Sequence, residues 1–306
     1  MNELNFPYHL TGLRNMETYH FSEIFKLTKI YKQKILNKTP FEKILEDKSV
    51  INLFFEDSTR TRTSFELAEK NLGMNVVNFS GSGSSISKGE SFLDTLKNIE
   101  SMKFDYIVIR HQDSGTPAVC IKQTSSKIIN AGDGINEHPT QGLLDLFTLR
   151  ETFGSLKNLN VCIVGNISHS RVALSNIFAL KKFKANVSVC GPLSFIPAYI
   201  EGLGVNVYLN IDDAIKNNDA LNILRVQTER DAAMLLPSLN EYSRHYGINS
   251  ERLKNNPGIK IMHPGPMNIN VEIDHKVSAS DNSLIFDQVT NGLAVKCAVF
   301  ELMNKI

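Results

Sequence analysis

Ser58-Thr59-Arg60-Thr61-Arg62 places hydroxyls and guanidiniums side by side directly after an apolar run, VINLFF, and just before a helical pattern. Ser58 stands where a helix N-cap belongs. The backbone N–H groups of a helix start, the hydroxyls of Ser58, Thr59 and Thr61 and the cation of Arg60 together would make a cradle for an anion, phosphate above all. The same residues also read as a well-capped helix whose arginines form surface ion pairs. In the anion-site reading Arg60 is the phosphate ligand, while Arg62 points elsewhere on the helix and serves structure, pairing with Glu56 or Glu66.

Other polar groups recur at the ends of apolar runs. The loop GSGSSISKGES, residues 81–91, carries Lys88 as its only cation and could close over an anion. Arg110 and His111 end the run YIVIRH, where open α/β sheets bind ligands. His138 and Gln141 open the segment HPTQ three residues apart, hence on one helical face. They suit a carbonyl and an amide, or His138 is simply a cap. Farther along, Arg171 follows GNISHS, and Arg225, Gln227 and Arg230 lie in ILRVQTER. The guanidinium fork matches a carboxylate, so two such arginines suit a doubly charged carboxylate substrate. Salt bridging between two domains is the competing reading. MHPGPMN adds a turn stiffened by two prolines.

The elements that must position these residues alternate regularly. SVINLFFE, MNVVNFS, FDYIVIR and SKIINAG read as buried strands, because continuous apolar runs indicate a sheet covered on both faces. TRTSFELAEKNLG and GESFLDTLKNIESMK read as helices between them. In the first of these, Phe65, Ala68 and Leu72 share a face and Gly73 supplies the stop. The pattern then repeats. LNVCIVG, ANVSVCG, VNVYLN, DALNILRVQ and GIKIMHPG are strands, with helices expected over RVALSNIFALKKF, LSFIPAYIEGL and IDDAIKNN. HPTQGLLDLFTLRETFG is a long amphipathic helix carrying the chain from the first half to the second, and NGLAVKCAVFELMNKI is a last apolar helix. The expected fold is α/β, in two domains, each a mainly parallel sheet flanked by helices.

With 306 residues, two domains are the natural division. A formal net charge of +1, from 33 basic and 32 acidic residues, gives no reason to expect nucleic acid or an anionic membrane as partner. Cys120, Cys162, Cys190 and Cys297 form no CxxC or Cys/His cluster, and three of them sit in apolar runs. Buried free thiols in a reducing cytosol follow, without disulfides or structural zinc. The N-terminus shows no signal peptide and no stretch is apolar enough to span a membrane. Neither GxGxxG nor GxxxxGK[ST] occurs, which argues against a nicotinamide cofactor and nucleotide hydrolysis.

STRTR, KGES, IRH, HPTQ, RVQTER and HPGPMN occur in an order and spacing that, over essentially the whole chain, resembles the catalytic chains of the aspartate carbamoyltransferase family. The ornithine branch carries an HCLP turn that this chain lacks. The resemblance implies transfer of a carbamoyl group from carbamoyl phosphate to L-aspartate, an early step of pyrimidine synthesis, with no metal or cofactor. It implies a carbamoyl phosphate domain of residues 1–138 plus 289–306, and an aspartate domain of residues 139–288. It further implies a cytoplasmic homotrimer with shared active sites, with regulatory chains or a dihydroorotase as possible associates. Carried over by position, Ser58, Thr59, Arg60 and Thr61 would hold the phosphate, and Ser84 and Lys88 would reach in from the adjacent subunit. Arg110 would bridge phosphate and carbamoyl oxygen. His138 with Thr61 would polarise the carbonyl, and Gln141 would hold the carbamoyl nitrogen. Arg171 and Arg225, helped by Gln227 and Lys88, would bind the aspartate carboxylates, with backbone at Pro264 and Gly265 touching both substrates. Two positions depart from a common family pattern: Ser168, where many relatives have lysine, and Gly265, where some have leucine. An acceptor such as ornithine, or a catalytically silent homologue, are the alternatives. A cationic side chain would be repelled beside Arg171 and Arg225.

Overall fold

The computed structural model describes residues 6–80, 91–226 and 238–306. Ser84, Lys88, Gln227 and Arg230 therefore lie outside the described residues. The chain forms two compact units, residues 1–144 with 290–306 and residues 145–289.

The first unit is built on four parallel strands, β1 (Ser49–Phe54), β2 (Asn75–Ser80), β3 (Tyr106–His111) and β4 (Lys127–Asp133), in the order β2-β1-β3-β4. Helices α2 (Thr59–Leu72), α3 (Phe92–Ser101) and α4 (Thr116–Gln123) make the crossovers. Phe65, Ala68 and Leu72 are fully buried on α2, and Gly73 ends that helix at φ 94°. Ile51, Leu53, Ile107, Ile109 and Ile128 pack with Leu96, Ile99 and Cys120 into one core under the sheet. Ahead of β1 lies α1 (Thr18–Leu36), whose buried stripe Phe21, Ile24, Phe25, Thr28, Tyr31 and Lys32 has helical spacing. The expected elements did not include it.

The second unit repeats the plan with β5 (Asn160–Val164), β6 (Asn186–Cys190), β7 (Asn206–Tyr208), β8 (Ala220–Ile223) and β9 (Lys260–Met262), all parallel, in the order β7-β6-β5-β8-β9. α6 (Arg171–Lys182) and α7 (Ile211–Asn217) fall where helical patterning places them. LSFIPAYIEGL does not form the expected helix. It makes two short 3-10 turns, Leu193–Phe195 and Ile200–Leu203, because Pro197 removes an N–H and blocks a helical approach in the middle of the segment. Two helices continue through the boundary positions: α5 (Pro139–Phe153) and, numbered last after the short α8 (Leu239–Tyr246), α9 (Ser250–Leu253) and α10 (His275–Ser278), α11 (Ile285–Asn304). α11 begins six residues before the apolar segment that announces it.

All four cysteines are buried free thiols. Burial pushes the Cys120, Cys162 and Cys297 thiols up to about 12, so none is a thiolate near neutral pH.

The first unit also buries two charges-in-waiting between α2 and α11. Glu69 has no exposed surface. Its Oε2 accepts from Asn52 Nδ2 at 2.8 Å, while Oε1 is buried without a partner. Lys296 Nζ donates to the Gly292 carbonyl at 3.1 Å and lies 5.0 Å from the centre of the Phe65 ring. Burial raises the Glu69 pKa to about 8 and lowers that of Lys296 to about 8. An acid raised from 4.5 contributes most to stability below its unfolded pKa, and that contribution is lost as pH climbs toward 8. Lys296 stays protonated in both states over most of that span, so the slope belongs to Glu69. Glu69→Gln is therefore expected to raise the thermal midpoint relative to the parent chain, by a margin that widens from pH 5 to pH 8. Calorimetry at the two pH values checks this, and a margin that is constant or narrows contradicts it.

Candidate active site

In an open parallel sheet, ligands bind beyond the C-terminal ends of the strands, where consecutive connections leave toward opposite sides. Each unit has one such point. In the first it lies between β1 and β3, since β1 leads through α2 to β2 on one side while β3 sits on the other. In the second it lies between β5 and β8. Most of the described candidate residues emerge at these two points.

At the first, Phe54 is in register with Arg110, and Phe55 N donates to the Arg110 carbonyl at 2.9 Å. The chain then turns through Glu56, Asp57 and Ser58 into α2. Ser58 occupies the N-cap position, but its hydroxyl makes no capping hydrogen bond. Its backbone, at φ -158° and ψ 77°, departs from the extended N-cap conformation that would aim the hydroxyl at the helix amides. The expectation of a well-capped helix therefore fails at its central contact. Thr59 and Arg60 are exposed and Thr61 half-buried. An uncapped helix start with a guanidinium beside it is a site of positive potential that an anion would complete.

Arg110 is held from two sides. Its guanidinium donates to the Ala131 carbonyl at 3.1 Å, and Nε lies 3.2 Å from Glu56 Oε2, with both side chains largely shielded. Glu56 thus pairs with Arg110. Glu66 bonds Lys70 at 2.6 Å, which chiefly lowers its pKa, with Arg62 adding a weaker attraction. His111 packs against Phe55 and Phe92, each ring 5.1 Å away. Its Nδ1 accepts from Asp113 N at 3.0 Å, and burial lowers its pKa, keeping the ring neutral.

β3 neighbours β4, and His111 pairs with Asp133 at the strand ends. The turn from β4 to α5 is tied by buried polar groups. Asn130 Nδ2 donates to Asp133 Oδ1 at 2.7 Å, and Asp133 Oδ2 accepts from Gly115 N at 2.7 Å. Glu137 Oε2 accepts from Leu13 N at 2.6 Å. This scaffold delivers His138, 7% exposed, to the start of α5, where its carbonyl accepts from Gln141 N and Gly142 N. Pro139 at the first helical position needs no N–H partner. Thr140 is buried and Gln141 half-buried. Ser58–Thr61 and His138, on the segments that follow β1 and β4, and Arg110, near the end of β3, thus lie at the C-terminal ends of three adjacent strands of one sheet.

In the second unit, Val164 is in register with Ile223, and Leu224 N donates to the Val164 carbonyl at 2.8 Å. Arg171 begins α6 after β5, and Arg225 follows β8 directly. Arg171 is 8% exposed and Arg225 half-buried. Here the helix is capped by its own serine, Ser170 Oγ accepting from Ala173 N at 3.2 Å. Ser168, the departure from the family's lysine, ties the turn locally: its N and Oγ both donate to the Phe195 carbonyl, at 2.9 and 3.1 Å. Gly265 has φ 66°, a left-handed conformation that glycine adopts without strain and a leucine would not. Pro264 and Gly265 follow β9, beside β8. Sequence patterning missed the groups that hold these turns, because buried amides and carboxylates at helical or strand spacing carry no motif.

Two family models cover nearly the whole chain: the aspartate/ornithine carbamoyltransferase carbamoyl-P binding domain over residues 8–151, and the Asp/Orn binding domain over residues 157–303. A protein of Gemmatimonas aurantiaca named aspartate carbamoyltransferase catalytic subunit is 51% identical over 89% of this chain and 84% of its own. One of the same name from Cytophaga hutchinsonii is 47% identical over 96% of both. Among solved structures, aspartate transcarbamoylase of Trypanosoma cruzi in complex with carbamoyl aspartate and phosphate superposes with a TM-score of 0.88 at 28% identity, covering 95% of this chain and 94% of that one. The catalytic subunit of aspartate transcarbamoylase from M. jannaschii gives 0.83 at 32% identity, covering 96% and 97%. Sheet order, the arginines at both switch points and these likenesses agree: the chain belongs to the aspartate/ornithine carbamoyltransferase family.

Proposed function

We propose that the chain transfers the carbamoyl group of carbamoyl phosphate to the amine of L-aspartate, giving N-carbamoyl-L-aspartate and phosphate for pyrimidine synthesis in the cytoplasm. The observation that carries this reading is the pair Arg171 and Arg225 at the β5–β8 switch point, two guanidiniums suited to a dicarboxylate and hostile to a cationic amine. Relatives bearing the name aspartate carbamoyltransferase support it.

In this mechanism Ser58, Thr59, Arg60 and Thr61 hold the phosphate with the first amides of α2. Arg110 spans phosphate and carbamoyl oxygen, His138 and Thr61 polarise the carbonyl, and Gln141 orients the carbamoyl nitrogen. Arg171 and Arg225, with Gln227 and Lys88, fix the aspartate carboxylates, and backbone at Pro264 and Gly265 contacts both substrates. The amine attacks the carbonyl carbon, the oxyanion is met by fixed cations and donors, and the carbon–oxygen bond to phosphate breaks. The amine proton leaves with the phosphate. Rate then comes from positioning and preorganised charge. Ser84 and Lys88 come from the neighbouring subunit of a homotrimer. Many relatives are named catalytic subunits, which is compatible with association with regulatory chains.

Purified chain supplied with carbamoyl phosphate is expected to carbamoylate aspartate and to leave ornithine, at equal concentration, essentially unreacted. Product formation with ornithine but not aspartate would overturn the assignment of the acceptor.

A further inference from the structure

The aspartate-binding turns of the second unit leave three different strands, yet the buried polar groups behind them converge on one carboxylate. Asp145, on α5, has no exposed surface. Its Oδ2 accepts from Asn176 Nδ2 at 2.8 Å and from Asn222 Nδ2 at 3.1 Å. Its Oδ1 accepts from Gln288 Nε2 at 2.7 Å. Asn176 lies on α6, the helix that begins with Arg171. Asn222 lies on β8, three residues before Arg225. Gln288 completes the set by accepting from His263 N at 2.9 Å through Oε1, directly before Pro264 and Gly265.

The relay continues through His263, which is 2% exposed. Its Nδ1 accepts from Gly265 N at 2.8 Å, so the ring proton is on Nε2, which donates to Glu272 Oε1 at 3.2 Å. Glu272 also accepts from Asn268 N at 2.6 Å. Both ends of the HPGP turn are thereby pinned to buried acceptors. We infer that Asp145 is the positioning residue of the aspartate half: through Asn176, Asn222 and Gln288 it sets the placement of Arg171, Arg225 and the Pro264–Gly265 backbone together. Three buried amide donors require an acceptor with two oxygens, and an ionised carboxylate is the side chain that supplies both without presenting a donor of its own. The inference rests on the function proposed above, in which those three turns bind the acceptor.

The directionality of the relay makes it testable by exchange. Asp145→Asn puts an NH₂ opposite the Gln288 amide donor, and turning the Gln288 amide only moves the conflict to His263 N. Asp145→Asn combined with Gln288→Glu restores the contacts to Asn176, Asn222 and His263 N and the bond between positions 145 and 288. The introduced amide donates to the introduced carboxylate, whose second oxygen accepts from His263 N, and the retained carbonyl oxygen still serves Asn176 and Asn222. Asp145→Asn is expected to raise the KM for aspartate about tenfold or more, the scale of one misdirected buried hydrogen bond, with the KM for carbamoyl phosphate within about twofold. The double variant is expected to recover an aspartate KM near that of the parent chain. A folded single variant with an unchanged aspartate KM, or with both constants raised alike, overturns the inference, as does a double variant no better than the single. If the single variant does not fold, the double decides: near-parent aspartate KM supports the relay, and a raised KM or an unfolded double overturns it. The comparison is made on whichever amine the parent chain carbamoylates, so a wrong acceptor and a wrong hub give different results.

Discussion

Arg60→Ala is expected to lower kcat/KM for carbamoyl transfer by about two to three orders of magnitude or more, the cost of losing one preorganised donor to developing charge. The thermal midpoint should hardly move, because Arg60 is exposed on the first turn of α2. The size of the effect follows from the state of that helix start. Ser58 makes no side-chain cap there, and under the proposed function the first amides of α2 and the Arg60 guanidinium hold the same phosphate, so removing the cation leaves a weak half-site. Arg60→Lys should recover only part of the loss, since an ammonium lacks the planar fork. Arg62→Ala, next to Glu66 and away from that space, should stay within a few-fold of the parent. Steady-state kinetics with calorimetry on the three variants checks the set. Near-parent turnover in folded Arg60→Ala would remove the phosphate assignment. Mixing that variant with Lys88→Ala should regenerate activity if sites are shared, and no recovery after verified subunit exchange would refute sharing.

Arg225→Ala should act on the other substrate. Truncating one partner of a shielded charge pair costs on the order of 2–5 kcal/mol, or about 30-fold to a few thousandfold in an equilibrium constant. The expected result is a rise of that order in the KM for aspartate, with carbamoyl phosphate binding, measured by calorimetric titration, close to the parent value. Arg225 follows β8 and is half-buried, so the strand and its pairing to β5 should survive. Binding of N-(phosphonacetyl)-L-aspartic acid, the compound seen with the Trypanosoma cruzi relative, offers a second readout because it joins a phosphonate to an aspartate. Weakened affinity for that compound together with intact carbamoyl phosphate binding is the signature; equal losses on both would place Arg225 outside the acceptor site.

The strands were legible because each is a short continuous apolar run between turn residues, the pattern of a sheet covered on both faces. The residues at their ends were legible because cations and hydroxyls stand out beside such runs. α1 was not, since His20, Thr28 and Lys32 are polar residues on its buried side and blur the stripe. The segment from Leu193 to Leu203 misled because its apolar spacing outweighed Pro197 in the reading, and the backbone gives proline the deciding vote. The pairing of Glu56 with Arg110 and the convergence on Asp145 were beyond reach for a different reason. Both join residues distant in sequence, and nothing local marks a buried partner.

Both units carry their candidate residues at or just beyond the C-terminal ends of strands, while most apolar strand side chains go to the cores. The part that recognises the acceptor is therefore physically separable from the part that makes the fold stable. Under the proposed function, a lineage that exchanges residues after β5, β8 and β9 while keeping the strand cores and the buried network behind them can acquire a different amine substrate. A single domain model describing both aspartate and ornithine binders is what such modularity leaves in a family's history.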